Sequence, residues 1–414
     1  MNSLTQEIVL VGIDWADQTH AWHLQNGQTQ AAGLLQQDAE SIKDWVKQLR
    51  EQHPNHQFAI AIETTKGALI SALLEYDDIT LYPINPAALA AYRKSFAHGG
   101  GKNDPGDALL LCQYLKHYIE RLRPLRRNQQ LTRKLAAMAE DRRRLVDQRT
   151  AHCNELKAVL KTYFPEVLKL DAARIYADFI LAFLLKYPYL AAAQKAGAGR
   201  LRKLFYGVGT RAKAEKRVQL LVEATPLSSD LALNQTCSMR VRALAALIQT
   251  YNAQIRGYAA RIAEEVVEHE DYAIFQPLPG ASDLTHSRLI AAMGDDRSRY
   301  ADASALQAAT GIAPLTTQSG KQRFVSARWA CTKFLRQTFH EYAGLSIASS
   351  KWAAAYYKLQ LDNGKTPQMA KRALAYKWQR IIFRCWHDRV PYDEAKHIQR
   401  LKKTGSPIYQ LIEV

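Results

Sequence analysis

The stretch Ile8-Val-Leu-Val-Gly-Ile-Asp14 is an unbroken apolar run that ends in a carboxylate. Apolar runs of this length form strands that are buried on both faces, so we expect a central strand with Asp14 at its carboxyl end. Asn26-Gly27, between the short segments 20–25 and 28–34, is the sequence signal of a two-residue hairpin turn. The chain is therefore predicted to open with three antiparallel strands.

Helical and extended segments alternate after this hairpin. Apolar spacing predicts, in order, a helix over 42–49, a strand over 58–62, a helix over 67–76, a strand over 79–82, a helix over 86–95 and a helix that begins at Asp104. This order is that of the RNase H-like (RuvC-like) α/β fold, in which the first and fourth strands are neighbours. Asp14 and Glu63, which follow these two strands, are therefore expected at one edge of the sheet.

Four carboxylates are expected to meet at that edge. The stretch Gly99-Gly-Gly-Lys-Asn-Asp-Pro-Gly-Asp107 places Asp104 and Asp107 three positions apart at a helix start, on one face of its first turn. With Asp14 and Glu63 they cannot all be ionised without cations, and two Mg²⁺ ions roughly 3.5–4 Å apart are the usual solution in phosphoryl transfer. The alternative is structural, with Asp104 as a helix cap and the strand-end acids as loop caps.

The composition indicates a polyanionic partner. The 414 residues include 56 Lys and Arg against 39 Asp and Glu, a formal charge of +17, which favours nucleic acid over an anionic membrane. The N-terminus lacks a signal-peptide pattern, and the longest apolar run, Phe179–Leu185, is too short to span a bilayer. The five cysteines are scattered, which is typical of buried thiols in a reducing cytoplasm. We therefore expect a cytoplasmic protein that binds no membrane.

Three regions are predicted to follow one another. Residues 1–120 form the α/β domain, and residues 271–414 form a mainly α-helical C-terminal domain. Between them, residues 121–270 carry apolar residues at near-heptad spacing with many arginines interspersed. They predict a basic coiled-coil arm of two antiparallel helices, interrupted at about 165–235 by an inserted helical subdomain of unassigned role. A dimerising helix whose arginines are merely solvated is the alternative for the arm.

One hydroxyl of the C-terminal region is a candidate nucleophile. Ser319-Gly320 lies in a predicted flexible loop and precedes the basic Lys321-Gln-Arg323, so the serine would meet a phosphodiester beside cations. A plain turn is the alternative. Pro277-Leu-Pro-Gly280 also has two interpretations: a plain turn, or part of a helix-hairpin-helix that offers backbone N–H groups to a phosphate.

Short motifs at both ends of the chain form an ordered set: Gly12-Ile-Asp14 with His20, Ile62-Glu-Thr64, Lys102-Asn-Asp104-Pro-Gly-Asp107-Ala, Leu278-Pro-Gly280, Gly294-Asp295, Gly311-Ile-Ala-Pro314 and Ser319-Gly320. Taken together, this set resembles that of the DEDD transposases of the insertion-sequence-110 family, which are RNA-guided DNA recombinases. The resemblance implies that Asp14, Glu63, Asp104 and Asp107 bind Mg²⁺. It also implies that Ser319 forms a transient covalent link to DNA.

The same resemblance implies the partners. These are double-stranded donor and target DNA and a guide (bridge) RNA encoded by the element. A homodimer or homotetramer is implied as well, in which the acids of one subunit meet the serine of another. The compartment would be the bacterial cytoplasm.

Other interpretations stay open from the sequence. Thr317 and Ser326 are alternative nucleophiles close to Ser319. A RuvC-like junction-resolving nuclease would use the four acids with water and no serine. A non-catalytic nucleic-acid scaffold would use neither, and the acids would then be helix caps.

Overall fold

The computed structural model of the protein describes residues 8–96, 104–209, 211–320 and 322–412. The chain divides into two compact units, Met1–Asn128 and Gln129–Val414. The Gly-rich stretch 99–102 and the side chain of Asp104 lie outside the described part. Among the described helices, none combines the length and apolar character that crossing a membrane requires.

The first unit is built on a five-stranded sheet. Its strands are β1 (Ile8–Asp14), β2 (Thr19–Asn26), β3 (Thr29–Gln36), β4 (Gln57–Ile62) and β5 (Ile79–Pro83). Their order across the sheet is β3-β2-β1-β4-β5, with β2 antiparallel to β1 and β3, and with β4 parallel to β1 and β5. The prediction that the first and fourth strands are neighbours is confirmed. The hairpin turn is confirmed as well, because Gly27 there has φ +57°.

Both faces of this sheet are covered by helices, namely α1 (Ala39–Gln52), α2 (Ala68–Leu73), α3 (Pro86–Phe96) and α4 (Asp104–Tyr118). Strand β4 shows the arrangement, because successive side chains of a strand point to opposite faces. Phe58, Ile60 and Ile62 join a core with α1 and α2. Ala59 and Ala61 join a second core with α3 and α4. The mixed α/β architecture follows from a central strand that is apolar on both faces.

The second unit is mostly helical. Its elements are α5 (Gln130–Tyr163), α6 (Glu166–Asp171), α7 (Asp178–Lys186), α8 (Leu190–Gly207), α9 (Ala214–Val222), α10 (Leu231–Val266), α11 (Tyr272–Phe275), α12 (Asp283–Met293), α13 (Ala303–Ala309), β6 (Leu315–Ser319), β7 (Gln322–Ser326), α14 (Lys333–Ser346), α15 (Lys351–Asp362), α16 (Pro367–Asp388), α17 (Glu394–Lys403) and α18 (Pro407–Ile412). The prediction of long helices in the middle of the chain is thereby confirmed.

Helices α5 and α10 run antiparallel. Lys134, near the start of α5, forms an ion pair of 2.6 Å with Glu265, near the end of α10. Glu155, toward the other end of α5, pairs with Arg240 of α10 at 2.7 Å. Ion pairs at both ends of the two helices fix their opposite directions, as the sequence predicted.

Helices α6 to α9 connect the far ends of this pair and pack on it around their own core. Aromatic rings dominate the core, and Phe183 and Phe205 are stacked with centroids 5.8 Å apart. The guanidinium of Arg217 lies 4.0 Å from the ring centroid of Phe179, so a buried cation is placed against an aromatic face. The insertion predicted at about 165–235 is therefore a packed helical bundle.

The C-terminal helices enclose three buried tryptophans, each with its indole N–H satisfied. Trp352 Nε1 donates to Tyr392 Oη at 2.8 Å, and Trp378 Nε1 donates to Ser346 Oγ at 2.8 Å. Trp386 Nε1 donates to a backbone carbonyl near the end of α12. These polar ends orient the large rings, and the helical character predicted for the C-terminal region is confirmed.

Candidate functional site

Two of the predicted acids lie side by side at the carboxyl edge of the sheet. Strands β1 and β4 are parallel, and Ile13 is paired with Ile62 in their register. The residues that follow this pair are Asp14 and Glu63. Asp14 is half-buried and Glu63 is exposed, so one carboxylate lies partly within the fold and its neighbour opens to solvent.

Gly12 is the point at which α4 packs on β1. A β-carbon at Gly12 would overlap the carbonyl oxygen of Ala108 and the backbone nitrogen of Cys112, because α4 packs on β1 backbone to backbone. Only glycine permits this approach. Asp107 directly precedes Ala108 in α4, so it lies next to the residue that contacts β1 at Gly12. The glycine of the Gly12-Ile-Asp14 motif therefore has a packing role.

The thiol of Cys112 strengthens the same contact. Its Sγ lies 3.5 Å from the carbonyl oxygen of Leu10 and donates to it. Burial raises the pKa of the Cys112 thiol to about 11, so the sulfur keeps its proton and remains a donor at neutral pH. This cysteine is a buried structural thiol, as expected from the scattered cysteines.

The carboxylate of Asp107 is paired with an arginine of the same unit. Its side chain is only 8 % exposed and forms an ion pair with Arg93, which comes from the last turn of α3. The pairing compensates the burial of the carboxylate. Sequence reasoning missed Arg93, and its only sequence signal is a basic residue in the last turn of a helix.

Asp104 lies three residues before Asp107, in the first turn of α4. Its backbone position agrees with the predicted first turn, whereas its side chain is outside the described part of the protein. Among the described side chains, no group of three or more His, Cys, Asp and Glu residues is arranged to hold a metal ion. Carboxylate oxygens are nevertheless the donors that Mg²⁺ prefers, so the donor chemistry of this edge fits that ion.

Ser319 lies at the tip of a β-hairpin and not in a flexible loop, which corrects the sequence-based expectation. It is the last residue of β6 and pairs with Gln322 of β7 across a turn that contains Gly320, with φ +55°. The hydroxyl is exposed, as is every residue of both strands. The two alternative nucleophiles are also on this hairpin: Thr317 lies two residues down the same strand, and Ser326 lies at its base.

The glycine motif before β6 anchors the hairpin. Gly311 has φ +67°, and a β-carbon there would overlap the sulfur of Cys331. Arg372 of α16 donates to the backbone carbonyls of Gly311 and Ile312, the second at 3.1 Å from Nε. The motif Gly311-Ile-Ala-Pro314 therefore fixes the chain where it enters the hairpin.

Two further motifs have structural roles. Gly280 has φ +74° and packs against the carbonyl of Leu345, which favours the plain-turn interpretation of the stretch before α12. The carboxylate of Asp295 accepts from the backbone N–H of Gln129 and, at 2.6 Å, from the hydroxyl of Thr132. Asp295 thereby caps the start of α5 from a distant part of the chain.

Two family models match the chain. Residues 11–165 match the family model of the DEDD transposases of IS110, and residues 272–358 match that of the transposase family IS116/IS110/IS902. The first match includes the sheet and its acids, and the second includes the hairpin with Ser319.

Curated relatives match over most of the chain. The mini-circle putative transposase for IS117 of Streptomyces coelicolor is 26% identical, over 94% of this chain and 96% of its own length. A 42 kDa uncharacterized protein of the insertion element IS900 of Mycobacterium paratuberculosis is 24% identical, over 82% of this chain and 84% of its own length. With both family models matched in the expected order, the chain belongs to the IS110 family of transposases.

Proposed function

We propose that this transposase cuts and rejoins DNA by Mg²⁺-dependent transesterification with Ser319 as the nucleophile. The observation that carries the proposal is that Asp14 and Glu63 follow the paired ends of β1 and β4, while α4, the helix of Asp104 and Asp107, packs on β1 at Gly12. Isolated acids at strand ends are common loop caps, whereas acids on three elements that pack on one another support a catalytic site.

The fold of the first unit supports the same proposal. The strand order β3-β2-β1-β4-β5, with three antiparallel strands followed by parallel ones, is the order expected of an RNase H-like (RuvC-like) domain. The antiparallel α5–α10 pair supports a coiled-coil arm, and its arginines suit a nucleic-acid backbone.

Asp14, Glu63, Asp104 and Asp107 would hold the Mg²⁺ ions. When bound, the metal supplies charge that stabilises the phosphoryl oxygens and lowers the pKa of an attacking hydroxyl. Arg93 keeps the carboxylate of Asp107 buried and oriented before any metal arrives. The acids themselves provide the negative charge that selects a divalent cation at this edge.

Ser319 would be the nucleophile. Its oxygen would attack a phosphodiester, so that a Ser319–phosphorus bond forms, the strand P–O bond breaks and the leaving strand carries away the hydroxyl proton. Attack by the hydroxyl of the second DNA then reverses the step and restores the serine. No nucleotide cofactor is needed, because the phosphodiester energy is conserved in the covalent link.

The exposed hairpin supports a site shared between subunits. A serine at an exposed tip can reach the acids of another copy, as expected for a homodimer or homotetramer. The formal charge of +17 supports binding of a guide (bridge) RNA together with donor and target DNA.

The test is a covalent-trapping experiment. The protein, the RNA of its element and end-labelled target DNA are incubated with Mg²⁺ and separated on a denaturing gel. We expect a protein–DNA species that disappears in both Ser319→Ala and Asp14→Ala, while Thr317→Ala and Ser326→Ala retain it. Free nicked DNA that survives Ser319→Ala would instead indicate a nuclease that uses water. Full function of Asp14→Ala would indicate a non-catalytic scaffold.

A further inference from the structure

Three arginines, Arg142 and Arg143 of α5 and Arg288 of α12, gather where α5, α12 and α14 pack together in the second unit. Arg149 lies two turns further along α5, where its Nη1 donates to Asn252 Oδ1 of α10 at 3.0 Å. The carboxylate of Glu341, on α14, accepts from Arg143 Nη1 at 3.0 Å and forms an ion pair with Arg288 of α12. It also accepts from Gln337 Nε2 at 2.6 Å. Three donors therefore share one carboxylate, which leaves it little capacity to neutralise further cations.

Two more guanidinium groups of α5 lie within electrostatic range. Arg142 experiences the charges of Arg149, Arg288 and Arg143, and of the single carboxylate at position 341. Burial and these like charges lower the pKa of Arg142. In the part of the chain that the structure describes, Arg142 forms neither a hydrogen bond nor an ion pair, which is unusual for a half-buried arginine.

The cluster has an excess of positive charge and of free donors. Among the described residues, its ion pairs are to two carboxylates, that of Glu341 and that of Asp147, which pairs with Arg143 at 2.7 Å. Arg288 is 9 % exposed, and its Nε and Nη2 are buried without a partner among the described residues. Nε of Arg142 is buried and unpartnered in the same way. Buried donors of this kind are costly unless a ligand satisfies them.

We infer that this cluster of Arg142, Arg143 and Arg288 binds a phosphodiester group of a nucleic-acid strand. A phosphodiester carries one negative charge on two oxygens, which the planar fork of arginine matches with paired N–H groups. The cluster is open to such a ligand, because the side chain of Arg143 is 35 % exposed. The inference rests on the action of the family on DNA and is independent of the serine and metal chemistry.

The test compares two variants of α5 that lose the same charge. Arg142→Met removes the unpaired arginine of the cluster and keeps a side chain of similar length. The control is Arg144→Met, because Arg144 is 72 % exposed and pairs with Asp141 at 2.9 Å. Binding of labelled duplex DNA and of an RNA hairpin to the full chain is measured by fluorescence anisotropy over a range of salt concentrations, in EDTA.

We expect Arg142→Met to weaken polynucleotide binding by about five-fold and to reduce the slope of log K against log salt by about one, as the loss of one phosphate contact requires. Arg144→Met should change the affinity by less than about two-fold. The melting temperature of Arg142→Met should equal or exceed that of the wild type, since a repelled cation is removed. A loss of affinity in a stable variant then separates binding from folding.

Two outcomes would overturn the inference. Equal effects of the two variants would show that only net charge matters. The second outcome is that inorganic phosphate protects the wild type from thermal unfolding more than it protects Arg142→Met, while DNA and RNA bind both proteins with equal affinity. The cluster would then bind free phosphate and not a nucleic-acid strand. Because EDTA removes divalent metal, failure of the proposed serine chemistry would leave these binding results unchanged.

Discussion

The two regions that carry the candidate site are held in different ways. The acidic edge lies on a sheet that is buried on both faces, with α4 packed on Gly12 backbone to backbone. The β6–β7 hairpin has two strands, and every residue in them is exposed. An isolated two-stranded hairpin is marginally stable in water. Packing within its own unit therefore holds β1 and α4, whereas no residue of the two hairpin strands is buried.

The largest effect is expected from Gly12→Ala, which tests whether packing fixes the acidic edge. The new β-carbon meets backbone atoms of Ala108 and Cys112 that cannot rotate away, so we expect a loss of about 3 kcal/mol in the free energy of unfolding of the first unit. Amide hydrogen exchange of β1 and α4 measures this change locally.

Gly257→Ala is the matched control for that substitution. Gly257 lies within α10, and a β-carbon there would meet no atom within 4 Å. We expect it to stabilise the protein by about 0.5–1 kcal/mol, because alanine is the better helix former. Equal effects of the two substitutions would mean that the backbone of α4 does not contact β1 at Gly12.

A smaller effect is expected from Arg93→Met, which removes the cation beside Asp107. The buried carboxylate loses its partner, so we expect a loss of about 1–2 kcal/mol in stability without metal. If Asp107 is a metal ligand, Mg²⁺ should restore more stability to this variant than it adds to the wild type.

Thermal unfolding with Mg²⁺ and with EDTA measures this difference. Arg50→Met is the control, because Arg50 pairs with Asp78 at 2.6 Å in the same unit but away from the predicted ligands. A Mg²⁺ response of Arg93→Met that equals that of Arg50→Met would argue against Asp107 as a ligand.

The same contrast explains what the sequence could predict. The strand ending in Asp14 and the strand ending in Glu63 were predictable because burial imposes an apolar pattern on a chain. The hairpin of Ser319 was not, since neither of its faces is buried and Leu315-Thr-Thr-Gln-Ser319 shows no alternation. The pairing of Arg93 with Asp107 depends on how α3 and α4 pack, which local spacing does not encode. The apolar periodicity of a sequence thus indicates which segments are buried. It does not predict exposed elements or the contacts between helices.

The smallest effect on stability is expected from Phe324→Ser, in the middle of β7. Phe324 is 64 % exposed, so its removal should change the free energy of unfolding by less than about 0.5 kcal/mol. Val325, on the opposite face of the strand, and Trp329 are exposed as well, and large apolar side chains left exposed on a hairpin are expected to contact a partner. We therefore expect Phe324→Ser to weaken assembly with DNA and guide RNA several-fold, as measured by mass photometry, while Gln322→Ser on the same strand has little effect. If Phe324→Ser lowers stability by more than about 1 kcal/mol instead, the hairpin is held within its own chain and the contrast with the acidic edge fails.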